Sequence, residues 1–146
     1  MKNFFEENNV SHDSLLTLFS QAPVSMCLLK GADYVIENAN AQMLELWGKD
    51  SSVIGKPIFD VIPEIKSQGF EEILSKVFHK GEIFKGDKLP IFLNKYGSYE
   101  EHFFNFIYAP VKNQDKEIIG ISVVATEVTE QILSERKLRE SEYRFE

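Results

Sequence analysis

Three histidines, one cysteine and the adjacent glutamates Glu71–Glu72 and Glu100–Glu101 carry the widest chemical repertoire in this chain. His12, His79, His102 and Cys27 could hold a metal only if the fold gathered them, because no two of them have the close spacing of structural zinc ligands. Glu71 with Glu72, and Glu100 with Glu101, could act as acid and base. Neighbours on a helix diverge by about 100°, however, and neighbours on a strand point to opposite faces. Neither pair therefore converges on one substrate. The sequence pairs no nucleophile with a base and offers no glycine-rich phosphate cradle. The expectation is a non-enzymatic chain with no catalytic residues and no metal site. Cys27, between Met26 and Leu28, reads as a buried core thiol. His102 reads as the partner of a nearby carboxylate, Glu100 or Glu101, and Asn105 as a bond to neighbouring backbone. His79 stands beside Lys80 at a helix end, where an imidazolium complements the dipole.

The elements that position these residues centre on Tyr99 to Thr129. His102, Phe104, Phe106 and Tyr108 alternate with Phe103, Asn105 and Ile107, and a second run from Ile119 to Thr126 alternates likewise. Period-two patterning rich in β-branched and aromatic residues predicts two strands, with Lys112 to Lys116 as their turn. Upstream, Asp13 caps a helix running to Pro23. Val24–Lys30 and Tyr34–Glu37 make a hairpin, and Asn40 caps a helix with Met43, Leu44 and Trp47 on one face, stopped at Gly48. Ser51 to Ile65 supplies short helical turns over a sheet. Phe70, Ile73, Leu74, Val77 and Phe78 form an amphipathic stripe closed by Gly81. Ile83–Leu93 is a third strand, and Gly86 and Pro90 suit it to an edge or bulge. The tail from Glu130 is a charged helix with a weakly apolar heptad seam at Val128, Leu138 and Phe145 and i,i+4 pairs Glu135–Arg139 and Glu140–Arg144. A sheet running straight into a protruding helix through Glu127, Val128 and Thr129 is the arrangement a transmitting module needs.

The 146 residues, 43% hydrophobic with twelve Phe, suffice for one folded core with helical appendages. A net charge of −7 disfavours nucleic acid. No apolar run reaches membrane-spanning length, the amino terminus lacks a signal-peptide layout, and a lone cysteine suits a reducing compartment, so the cytoplasm is expected.

Four segments, in order, resemble the PAS domain, the sensory module of bacterial histidine kinases and related signalling proteins. They are Asn38-Ala39-Asn40-Ala41 with Leu44 and Gly48; Val53-Ile54-Gly55-Lys56; Phe104-Asn105-Phe106-Ile107-Tyr108-Ala109-Pro110; and Gly120 followed by Glu127-Val128-Thr129-Glu130. Glu127 stands where the family usually has Asp. The resemblance implies an α+β fold with a five-stranded antiparallel sheet, helices over one face and flanking helices at both ends. It divides the chain into a lead-in at 1–14, the sensory domain at 15–129 and a linker helix at 130–146. The segment Leu138 to Phe145 resembles the helix that leads into a following PAS domain, which implies a multidomain protein, with the output domain elsewhere in the chain. The family places ligands between helix and sheet, so Phe78, Phe92, Phe104, Phe106, Ile121 and Val123 are the expected pocket lining, with a filled core as the alternative. Signal relay is expected at Glu127, Val128 and Thr129, partnered by a homodimer through the flanking helices and sheet. Haem through His79 is disfavoured, since His79 lies off the apolar stripe. Flavin is disfavoured because Cys27 is on a strand and not on the helix that carries the photoreceptor cysteine, and no cofactor is expected. A ligand-free dimerisation spacer and a small α+β pocket enzyme are the rival readings.

Overall fold

The computed structural model describes residues 24–144, so the lead-in, the helix expected from Asp13 and Phe145 lie outside the described residues. Five strands form one antiparallel sheet: β1 (Ser25–Lys30), β2 (Val35–Ala39), β3 (Phe84–Lys95), β4 (Ser98–Lys112) and β5 (Ile118–Glu127), in the order β2-β1-β5-β4-β3. The last strand lies at the centre between the first and the fourth. That placement requires β5 and β1 to approach closely at Gly120, where a Cβ would stand 2.4 Å from the Leu29 carbonyl oxygen. Only glycine fits there, although its φ is unremarkable.

Helix α1 (Ala41–Trp47), the short α2 (Ile58–Val61) and α3 (Phe70–Lys80) pack on one face of the sheet. Asn40 caps α1 and Gly48 ends it in the left-handed conformation (φ 69°). Met43, Leu46 and Trp47 are the buried residues of α1; Leu44, expected inward, is only half-buried because i, i+3, i+4 spacing selects Leu46. On α3 Phe70, Leu74 and Val77 face the core, and Gly81 closes the helix. Tyr34, expected to open β2, instead takes φ +53° in the preceding turn. The other helix, α4 (Thr129–Arg144), leaves from the end of β5.

Both outer strands are sealed by other groups. Gln68 accepts the Phe92 N–H (2.8 Å) and donates to the Phe92 carbonyl (2.9 Å), and Glu64 accepts the Asn94 N–H (2.8 Å). A bulge between Gly86 and Leu89 interrupts β3, and Asn105 pins it by accepting the Lys88 N–H at 2.9 Å. On the opposite edge β2 bonds the Gly55–Ile58 loop through Ile36 and Tyr34. Such caps remove the backbone groups that would otherwise template edge-to-edge pairing. Gln68→Ala should lower the unfolding free energy by about 1 kcal/mol and accelerate amide exchange at Phe92; an unchanged Phe92 amide would show that the edge is protected otherwise.

Candidate functional site

The junction of β5 with α4 is built on one residue of β4. Phe103 donates its backbone N–H to Thr129 Oγ1 (2.9 Å), and its carbonyl accepts the Val128 N–H (2.8 Å). The Phe103 ring is buried beneath the Arg136 guanidinium, 5.1 Å from the ring centre, about two turns along α4. The Ile132 N–H, donating to the Val128 carbonyl, then starts the helix proper. On the other face of the sheet, Glu127 Oε2 lies 2.9 Å from His102 Nδ1, and Glu100 lies 4.0 Å from Nε2. Burial alone would push the Glu127 carboxyl up. Hydrogen bonds from His102 and Thr129, with the charges of His102 and Lys95, outweigh burial and hold it below the ordinary carboxylate value. All three residues expected to relay a signal are thus drawn into one network spanning β4, β5 and α4. His102 was expected to pair with Glu100 or Glu101; its close partner is Glu127, and Glu101 points to the opposite face. Cross-strand geometry brings the two side chains together on the helix-covered side.

Between helices and sheet lies a cavity of about 40 Å³, lined by Cys27, Leu29, Met43, Trp47, Phe70, Leu74, Phe106, Tyr108 and Val123 among others. Ligand pockets usually span about 300–1,000 Å³, so this space is several-fold smaller than a typical one. Its two polar groups are neutral: burial pushes the Cys27 thiol and the Tyr108 hydroxyl up. Of the expected lining residues Phe106 and Val123 face the cavity. Phe104 and Ile121 are fully buried but take part in the surrounding core, and Phe78 is half-buried with its ring edge on Tyr34. Phe92 is a correction: it is 41% exposed and stacks on Tyr99 on the far face, because strand alternation sends Ile91 and Leu93 inward. The helix stripe also supplies Phe70 and Leu74, which sequence reasoning had treated as plain core. His79 is exposed at the end of α3, off the buried face.

A second, open depression of about 360 Å³ lies between α1 and the end of the sheet, lined by Ser25, Gln42, Glu45, Lys95, Thr126 and Glu127 among others. It exposes one side of Glu127 to solvent. The outgoing helix from Leu133 to Glu142 is exposed on all sides, with Leu133 and Leu138 more than half accessible. Among its described residues Glu135 bonds Gln131 (3.5 Å) and not Arg139, as the small energies of exposed pairs allow.

The family model described as "PAS fold" matches residues 19–132. Among solved structures, the chain is similar to a PAS domain from Colwellia psychrerythraea (TM-score 0.63, 15% identity, 81% of this chain and 97% of that one). It is similar to a sensory box sensor histidine kinase structure from Vibrio cholerae (TM-score 0.56, 19% identity, 86% and 99%). It also resembles VqmA from Vibrio cholerae, solved as a ligand–DNA complex (TM-score 0.65, 19% identity, 82% and 52%). The chain spans about half of the VqmA chain. At such identities the likeness is one of fold.

Proposed function

The chain belongs to the PAS family, and we propose that it is a sensory and signal-relay domain of a multidomain bacterial signalling protein, with a two-component histidine kinase as the favoured context. A small ligand or partner shifts the balance between two arrangements of sheet and helices, and α4 carries that shift to an output domain. The domain performs no chemistry itself and needs no cofactor; it works in the cytoplasm as a homodimer, apart from nucleic acid. The observation that supports the relay most directly is the pair of hydrogen bonds that join the Phe103 backbone to Val128 and Thr129, with Glu127 held by His102. Sheet and helix start are one hydrogen-bonded body, so a displacement of β4 or β5 moves the root of α4. Among the described residues no helix is long and apolar enough to cross a membrane.

The experiment is to place Glu127→Gln and Thr129→Val in the full-length protein and to measure output with and without stimulus, alongside Tm. The expected result is output that no longer follows the stimulus, with Tm lowered by only a few degrees. Normal stimulus dependence in both variants would overturn the relay. The ligand-free spacer keeps its place as a second reading because the cavity between helices and sheet is about 40 Å³. A pocket enzyme has less to recommend it, since no carboxylate lines that cavity.

A further inference from the structure

We propose that His102 is the positioning residue of the junction, and that gain or loss of one proton on its ring sets how firmly the root of α4 is held, making the relay responsive to pH. The inference rests on the relay reading of Glu127 to Thr129.

The ring is 15% exposed and sits between two carboxylates, Glu127 of β5 at 2.9 Å from Nδ1 and Glu100 of its own strand at 4.0 Å from Nε2. Other charged groups frame the pair. Lys95 of β3 acts on Glu127, and Glu45 of α1 lines the same depression as both. Arg136 of α4 lies over Phe103 on the opposite side of the sheet. In the imidazolium Nδ1 donates to Glu127, and the ring's positive charge also attracts Glu100, which at 4.0 Å is too far for a hydrogen bond. Glu100, Glu127, Lys95 and His102 then sum to zero charge. In the neutral ring a single nitrogen keeps its hydrogen, so the Glu127 bond either loses its charge assistance (Nδ1–H tautomer) or is lost as Nδ1 becomes an acceptor (Nε2–H tautomer). The four groups then sum to −1, and Glu100 and Glu127 are left on either side of an uncharged ring.

Glu127 transmits the difference. Its carboxylate also bonds the Thr129 hydroxyl, the same hydroxyl that receives the Phe103 N–H. When His102 holds Glu127, the hydroxyl is fixed between carboxylate and backbone; when the hold weakens, the first turn of α4 loses an anchor. Glu127 does not itself switch in the neutral range. A carboxyl held below its ordinary value contributes stability above that value and loses it only as acid protonates it. Histidine as a residue type changes charge at milder pH than a carboxyl does.

The test is amide exchange on the chain at pH 5.5 to 8, corrected for intrinsic rates, read at Phe103, Val128 and Ile132, while NMR follows the His102 ring proton. Protection at these amides should fall about fivefold or more towards the alkaline end, with the midpoint of the ring's own titration. His102→Gln, which keeps a donor but cannot titrate, should flatten the profile. A flat wild-type profile, a midpoint apart from that of the ring, or an unchanged slope in His102→Gln would each overturn the proposal. The wild-type comparison decides even if the variant folds poorly. Failure of the relay reading appears separately, as normal stimulus-dependent output in both the full-length Glu127→Gln and Thr129→Val proteins.

Discussion

Asn40→Ala is expected to lower the unfolding free energy by about 2–4 kcal/mol, a large share of the total for a domain of this size. The side chain is 2% exposed and ties α1 to β1 and to Val24 just before it. Its Oδ1 accepts the N–H of Met43 (2.9 Å), which caps α1, and the N–H of Met26 on β1 (3.1 Å). Its Nδ2 donates to the Val24 carbonyl at 2.8 Å. Loss of a cap costs about 1 kcal/mol, and each buried backbone group left without a partner costs about 1–3 kcal/mol more. The backbone bond from Asn40 N–H to the Met26 carbonyl survives the substitution, which limits the total. Urea denaturation with an unchanged m-value would measure the effect. A loss under about 1 kcal/mol would mean that water replaces the amide and that the bridge from α1 to β1 is not a structural tie.

The same residue shows how far the sequence can be read. Asn before an amphipathic run, with Gly48 after it, announces a capped helix without any tertiary knowledge. That Asn40 also bonds β1 depends on where the first strand lies, which no local pattern states. The relay is a sharper case. Lys112 opposite Ile118 and Val111 opposite Gly120 mark a bulge in the β4–β5 hairpin. Without the extra residue Glu127 would stand opposite Phe103; with it, Glu127 stands opposite Phe104 and so faces the same side as His102. A one-residue shift moves every side chain beyond it to the other face. Strand identity, antiparallel pairing and the direct run into α4 were therefore legible, whereas the partner of His102 was not. Phe92 failed for a related reason. The run Ile91-Phe92-Leu93 is apolar throughout, so composition cannot say which residue faces out, and Gln68 gripping the Phe92 backbone settles which way the strand lies.

Whether the domain admits a ligand turns on the cavity, and Phe106→Ala addresses it with the largest stability effect expected here, about 3–5 kcal/mol. The ring is 6% exposed, stacks on Tyr108 with centroids 5.5 Å apart, and meets Phe70 edge-on at 5.7 Å. It lines the 40 Å³ space, so removing it enlarges that space and leaves a wall of Leu, Met, Trp and Phe side chains. Dry apolar cavities near 150 Å³ take up benzene, and a molecule that binds only the folded state raises stability by mass action. Benzene should therefore raise the Tm of Phe106→Ala while leaving the wild type unmoved. Phe106→Leu, a smaller truncation, preserves the test if alanine unfolds the domain. Should benzene stabilise the wild type as well, the closed cavity must open at little cost, and a ligand-binding sensor follows. Should it stabilise neither protein, the core closes around the deletion, and the spacer reading, in which the helices and the junction at Phe103 respond to partners and not to a buried molecule, becomes the stronger one.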